Sequence, residues 1–326
     1  MFNNNYVVCI FGATSHIAKG LIHNFLCKGM SHLHLFTTSP LATSSFIQSL
    51  CPAHEKRYAI HNGYQEFESF TYDVVINCIG VGTHKKLCGD FTRYFTVGEE
   101  YDNMIIKYLD NQSPETLYIS FSSGAVYGRS FTEPVTKCTE NQIKVNHVAR
   151  EDYYSICKLN SEAKHRAFGH LRIIDLRLFS YFSRFIDLSE GYFIADIINS
   201  VKNNTLLVTD SVNIIRDYIH PDDLYEIVLA SIKAGKVNDA FDVNSAAPVD
   251  KQKILKYFSD NYGLKYITTT LSEGIGATGE KKIYYSKYNK LSVLGCQPAY
   301  SSMETVMRES SLILDRAECA EACHGS

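Results

Sequence analysis

Nowhere does this 326-residue chain hold a run of apolar residues as long as a membrane-spanning helix needs, about 18. Blocks of like charge are also missing, and the formal net charge is only −3. Nucleic-acid and membrane-surface binders rely on clustered Lys and Arg, so both classes are argued against. The C-x-x-C pairing is absent although ten Cys are scattered along the chain. Several of them lie inside apolar runs, where a free thiol behaves as a small hydrophobe. Cys319 and Cys323 stand close together in "CAEACHGS", with only His324 beside them. A metal site wants more ligands nearby, so no metal is assigned. Unpaired thiols of this kind fit a reducing cytoplasm. The start, "MFNNNYVVCIFGA", lacks the basic segment of a signal peptide and leads straight into a Gly turn. It reads as a first strand. Neither an internal repeat nor a low-complexity linker is found.

What is present is ordinary globular material, with 45% hydrophobic and 21% charged residues. Short apolar runs alternate with helical patterns through the first half. Strands are expected over 6–13, 33–38, 57–61, 71–81, 116–123 and 171–182. Helices are expected over 16–29 (ending at Gly29), over roughly 92–111, and up to about 168. Strands alternating with helices imply a parallel sheet covered on both faces. After 182 the rhythm changes to short polar and aromatic segments. Helices are expected near 222–234 and 250–262, with the short segment "AFDVNSA" (240–246) between them, and a closing helix at the end. The fold class is therefore α/β, a Rossmann-type doubly wound parallel sheet with a smaller mixed α/β C-terminal part. The expected division is 1–182 for the sheet domain and 183–326 mainly for the smaller part, with segments near 206–246 returning to the first.

Three stretches carry chemistry. In "FGATSHIAKG", Gly12 ends the first strand, which lets backbone N–H groups and a helix N-terminus approach a pyrophosphate. Ser15 and Ala18 fill the other two usual Gly positions; both are small, and Ser15 also offers a hydroxyl. In "ISFSSGAVYG", a strand ends in hydroxyls at the sheet edge where α/β ligands bind, so Ser123 stands at the mouth of a cleft, or simply in a Ser-rich turn. In "EDYYSICKLNSEAK", Tyr154 and Lys158 share one helical face. That spacing alone is far commoner on ordinary helix surface than in an active site.

The combination of motifs resembles the extended short-chain dehydrogenase/reductase family, the nucleotide-sugar epimerases, dehydratases and ketoreductases. The matching residues are Gly12-Ala13-Thr14, Asp73 to Asn77, Ser122-Ser123-Gly-Ala-Val-Tyr127-Gly128, and Tyr154-x-x-x-Lys158-x-x-x-Glu162. They continue with Leu176-Arg177-x-Phe179, "RDYIHPDDL" from Arg216 to Leu224, and Leu294-Gly295-x-x-Pro298. The resemblance implies that Tyr154 gives and takes a proton at a sugar hydroxyl or ketone. A free phenol, with a pKa of about 10, is a poor base at neutral pH. A nearby ammonium and the nicotinamide charge stabilise its phenolate. Lys158 would supply that charge and bind the nicotinamide ribose, while Ser123 would hydrogen-bond the same substrate oxygen. The resemblance also implies a dinucleotide site lined by Gly12, Thr14, Ser15, His16, Ile17, Thr37, Thr38, Ser39, Cys78, Ile79, Gly80, Tyr154, Lys158 and Phe179. His16 would touch the pyrophosphate or face solvent. Substrate contacts would come from Ser123, Gly124, Ser180 and Arg216. Arg216 suits a nucleotide diphosphate, because a guanidinium pairs with phosphate oxygens; the other reading is a surface Arg paired with Asp217. A homodimer built through the Tyr154 helix is also implied.

Departures from the family narrow the activity. The second strand ends in Thr37, Thr38 and Ser39, without the acidic residue that binds the ribose 2′-OH of NAD. NADP(H) is therefore favoured over NAD(H), although the Arg typical of NADP enzymes is missing too. Gly124 and Ala125 stand where dehydratases of the family carry an Asp-Glu pair, which argues against elimination of water. Asn77 stands where many epimerases have His, and Ser180 where Asn is common. These features favour a 4-ketoreductase of a nucleotide 4-keto-6-deoxy sugar. The alternatives are a nucleotide-sugar 4-epimerase with tightly held NAD and a non-catalytic dinucleotide sensor.

Overall fold

The computed structural model describes residues 5–28, 31–50, 57–81, 87–270 and 281–322. Among these residues the main sheet has seven strands, all parallel. They are β1 (Val7–Phe11), β2 (His32–Thr37), β3 (Tyr58–Asn62), β4 (Val74–Asn77), β5 (Leu117–Ser123), β6 (Ile173–Leu178) and, later in the chain, β11 (Asn238–Val243). Their spatial order is β11-β6-β5-β4-β1-β2-β3. The chain thus winds outward from β1 in one direction and from β4 in the other. The expected doubly wound α/β architecture is what the structure shows.

Strand side chains explain the layering. Val8 and Ile10 point to one face, where Leu21, Ile22 and Phe25 of helix α1 (His16–Lys28) pack on them. Leu224, Tyr225 and Val228 of a later helix, Pro221–Lys233, join the same cluster. Cys9 and Phe11 point to the other face, covered by Ile105, Tyr108 and Leu109 of Arg93–Gln112. Burying a side chain such as Phe25 is worth about 1.5–3 kcal/mol, so each layer is held by many such terms.

In chain order the helices are α1, α2 (Pro40–Leu50), α3 (Arg93–Gln112), α4 (Arg150–Ala167), α5 (Phe193–Lys202), α6 (Pro221–Lys233), α7 (Lys251–Tyr262) and α8 (Ser302–Ala322). Gly29, expected to end α1, lies outside the described residues. Helices α2 and α5 were not expected. Only Thr43 and Ile47 of α2 are buried, so its sequence carries little apolar signal. The expected strand over 171–182 is two strands: β6 in the main sheet and β7 (Ser180–Tyr181), which pairs with β10 (Tyr218–Ile219). The chain breaks at Phe179, which leaves the sheet and lies over Gly124.

Around a third cluster, α5, α7 and α8 pack through Ile194, Ile197, Ile198, Leu255, Phe258 and Val306. Short strands edge this part: β8 (Leu207–Asp210) pairs with β13 (Tyr266–Thr269), and β9 (Ile215–Arg216) lies between β12 (Val249–Asp250) and β14 (Ile283–Tyr284). The "HPDDL" run builds the start of α6. His220 Nδ1 accepts from the Asp222 N–H at 3.1 Å, Pro221 opens the helix, and Asp223 accepts from the Ala299 and Tyr300 N–H groups. No described helix is long and apolar enough to cross a membrane.

Candidate active site

Where the winding reverses, between β1 and β4, an α/β sheet opens a crevice at its C-terminal edge. Gly12 sits there with φ of +72°. Its N–H donates to Phe36 at 3.0 Å, and its carbonyl accepts from Ser15 at 2.9 Å, closing the turn into α1. A Cβ at Gly12 would stand 2.9 Å from Ile79 and 3.3 Å from the Cys78 backbone. Conformation and space both require Gly. Ser15 Oγ accepts from the Ala18 N–H at 3.2 Å, capping α1. The Cys78 thiol is pushed far up by burial, which a Ser15 hydrogen bond only partly offsets. The tight turn, the helix N-terminus behind it and the open space beside Gly80 fit a dinucleotide.

The residues named from the sequence spread along this crevice. Thr14 is exposed, while Ile17 is half-buried and packs on the core. His16 turns toward the C-terminal part: its Nε2 lies 2.8 Å from Ser183 Oγ and its ring meets Tyr181 edge-on. Thr37 is buried, and its hydroxyl accepts from the Ser39 N–H at 3.0 Å. Only Thr38 and Ser39 of that trio are exposed. Cys78 N–H donates to Phe11, and Ile79 N–H to Asn77 Oδ1. Ile79 and Gly80 line one cavity with Tyr94, Phe121, Tyr154 and Lys158.

Helix α4 carries Tyr154 and Lys158 on its cavity side. Its buried face is mostly polar: Ser155, Cys157, Glu162 and His165. Lys158 Nζ donates to the Phe121 carbonyl at 2.8 Å and lies 6.0 Å from the Tyr154 ring centre. Tyr94 of α3 flanks Tyr154 from the other side, with ring centres 5.3 Å apart. Asn141 bridges the turn after β5 to α4, donating to the Val126 carbonyl at 2.8 Å and to Ser155 at 2.9 Å.

Ser123 ends β5 and is buried. Its Oγ accepts from the Ala125 N–H at 3.1 Å and lies 3.2 Å from the Tyr284 hydroxyl. The Phe179 ring lies so close to Gly124 that a Cβ there would collide with it. No carboxylate can occupy that position without displacing Phe179. Ser180 is half-buried in β7.

Arg216 does not pair with Asp217, which is buried and accepts from Ser245 and Ser302. Arg216 Nη1 donates instead to the carbonyls of Ile215 and Lys281, at 2.9 and 2.7 Å. Burial pulls its pKa down. The Lys281 ammonium lies 4.4 Å from the Tyr284 ring centre. Burial first, then Arg216, pulls Lys281 down to about 8. Among the described residues neither cation has a carboxylate partner. Two such desolvated cations side by side form a ready site for an anion. Neither Lys281 nor Tyr284 was found from the sequence. The one local signal is the basic-aromatic run "KKIYY" before Leu294-Gly295.

Two buried networks underlie the site. Glu162 joins Ser122 and Arg177, and Arg177 reaches Tyr127 and Asp242. His165 lies between Asp102 and Asp175, and Tyr118 donates to Asp102 at 2.7 Å. Asp102 lines the same cavity as Tyr154. Among the described residues no group of three or more His, Cys, Asp or Glu could hold a metal ion. The Cys319, Cys323 and His324 side chains lie outside what the structure describes.

A family model described as the NAD dependent epimerase/dehydratase family matches residues 8–244. No curated protein matches the chain significantly by sequence. Similar solved structures include UDP-glucuronic acid 4-epimerase from Bacillus cereus, in complex with UDP-glucuronic acid and NAD. It has a TM-score of 0.78 at 16% identity, covering 95% of this chain and 99% of that one. UDP-N-acetylglucosamine 4-epimerase from Methanobrevibacter ruminantium M1 has a TM-score of 0.78 at 15% identity, covering 96% and 99%. UDP-glucose 4-epimerase from Thermotoga maritima has a TM-score of 0.76 at 13% identity, covering 95% and 99%.

Proposed function

The chain belongs to the NAD dependent epimerase/dehydratase family, and on that premise we propose that it is a nucleotide-sugar 4-epimerase. The observation that carries this reading is one cavity lined by Tyr154, Lys158, Ile79 and Gly80, with the Ser123 hydroxyl at the end of the strand beside it. Tyr154 takes the proton of the sugar hydroxyl and returns it. Ser123 hydrogen-bonds the same oxygen, and Lys158 adds positive charge beside the phenol. Bound in the crevice, the nicotinamide supplies the hydride chemistry. Gly12 and the first turn of α1 hold the pyrophosphate. Arg216 and Lys281 hold the substrate diphosphate. Elimination of water is disfavoured because Phe179 occupies the space a carboxylate at position 124 would need.

This reverses the order in which the sequence alone ranks the activities. The family name and the likeness to 4-epimerases support epimerisation over reduction, and NAD over NADP. One observation keeps the 4-ketoreductase as a second reading. Thr38 and Ser39 are exposed at the end of β2 with no carboxylate beside them in sequence, which leaves room for a 2′-phosphate.

The test is to incubate the purified protein with NAD and, separately, UDP-glucose, UDP-N-acetylglucosamine and UDP-glucuronic acid, and to follow C4 by proton NMR. Conversion to the C4 epimer without net reduction of NAD supports the proposal. Consumption of NADPH with a 4-keto-6-deoxy nucleotide sugar, and no epimer, overturns it in favour of the reductase. Binding of neither dinucleotide would mean a non-catalytic protein.

A further inference from the structure

A second tyrosine reaches the reaction centre from the C-terminal part of the chain. Tyr284, on β14, is buried against Phe131 and Phe179, with ring centres 4.7 and 5.0 Å away. Its hydroxyl lies 3.2 Å from Ser123 Oγ and also faces the Ala125 N–H, a donor, so among the described residues Ser123 is the one hydrogen-bond acceptor it reaches. A buried phenol keeps its proton, and burial moves this one further from ionisation. If Ser123 were the donor, the Tyr284 proton would be buried with no acceptor, which is costly. Tyr284 therefore donates to Ser123.

A Ser hydroxyl has one proton to give and two lone pairs to receive. The Ala125 N–H fills one lone pair of Ser123 at 3.1 Å, and Tyr284 fills the other. Only the proton remains, and it must point elsewhere. We propose that Tyr284 is a positioning residue that fixes the Ser123 hydroxyl as a donor to the substrate oxygen. The inference rests on the reading that Ser123 and Tyr154 act on a sugar hydroxyl. The same contact makes the site depend on the C-terminal part, since Tyr284 and Arg216 are neighbours in β14 and β9.

The test compares Tyr284→Phe, Ser123→Ala and the double variant. Phe keeps the ring contacts, so the melting temperature should hold. With UDP-glucose as probe, Tyr284→Phe should lower kcat about tenfold, the order of one lost hydrogen bond, with KM little changed. The double variant should be no slower than Ser123→Ala alone, because Tyr284 acts only through Ser123. A readout without turnover is the crystal structure of Tyr284→Phe, in which Ser123 Oγ should leave its present position. Wild-type kcat in Tyr284→Phe, losses that multiply in the double variant, or an unmoved Ser123 would each overturn the inference while leaving the epimerase reading intact. Full activity in Ser123→Ala would sink that reading, and the role of Tyr284 with it.

Discussion

Glu162 of α4 lies 2.6 Å from the Arg177 guanidinium of β6 and takes a hydrogen bond of the same length from Ser122 of β5. One buried acid thus fastens the helix that carries Tyr154 and Lys158 to the two strands beneath it. Removing one partner of such a pair leaves an uncompensated charge and costs about 3–5 kcal/mol. Glu162→Ala should therefore lower the unfolding free energy, measured by urea titration, by an amount in that range, and Glu162→Gln by less, since an amide still accepts from Ser122. Equal melting of the wild type and the Ala variant would show that Asp242, 3.4 Å from Arg177, carries the site alone.

Among the described residues Tyr154 makes no hydrogen bond that holds the fold; its ring contacts there are with Tyr94 and the Lys158 ammonium. Tyr154→Phe should leave the melting temperature and dinucleotide affinity unchanged. Turnover should fall by about 10²–10⁴, the usual worth of a general acid–base. A Phe variant with wild-type turnover would remove Tyr154 from the mechanism. A variant that loses dinucleotide affinity as well would mean that the phenol is a binding group.

The sheet is readable in the sequence because its strands are apolar on both faces, as in "VVCIF" and "VVIN", and buried parallel strands must be. Helix α2 escapes because it buries only Thr43 and Ile47. Helix α4 has no apolar stripe, since it buries Ser155, Cys157, Glu162 and His165; only the Tyr-Lys spacing and the family likeness single it out. Tyr284 stands 161 residues from Ser123, and nothing local marks it as a neighbour of that hydroxyl. The contact exists because β14 joins the small sheet around β9, a pairing of two residues that leaves no periodic trace.

The buried His165 network sets a pH window for stability. Burial opposes its charge, but Asp175 and Asp102 outweigh burial and hold the imidazole up at about 9. Burial likewise opposes the Asp102 charge, yet His165 and Lys164 hold that carboxyl down at about 2. Unfolded, the two groups titrate at about 6.5 and about 3.9. The His165 contribution is complete below about 6.5 and is lost as pH rises through about 9. The Asp102 contribution is complete above about 4 and is lost as pH falls toward about 2. Urea midpoints measured from pH 3 to 10 should fall on both sides of that window. His165→Asn should lower the plateau and flatten the alkaline limb; an alkaline limb that survives intact would place its origin outside this network.

Lys281 gives the proposed diphosphate site its own pH dependence. Burial and the neighbouring Arg216 bring its ammonium down to about 8, so it is charged at pH 7 and mostly neutral at pH 9. Arg216 is the fixed charge of the pair, because a guanidinium is not deprotonated in proteins at these pH values. UDP itself titrates near both ends of this interval, at its terminal phosphate and its uracil N3–H, so the change that reports on Lys281 is the difference between the wild type and Lys281→Met. A charge-assisted hydrogen bond is worth about 1.5–3 kcal/mol, roughly 10- to 100-fold in Kd. UDP binding followed by calorimetry should weaken by about that factor from pH 7 to pH 9. Lys281→Met should bind UDP weakly at both pH values, keeping only the dependence that belongs to UDP itself. Arg216→Ala should weaken binding at both and return the Lys281 transition to higher pH, because the nearby like charge is removed. A pH dependence of UDP affinity that is the same in the wild type and in Lys281→Met would exclude Lys281 from the site and leave Arg216 to hold the diphosphate.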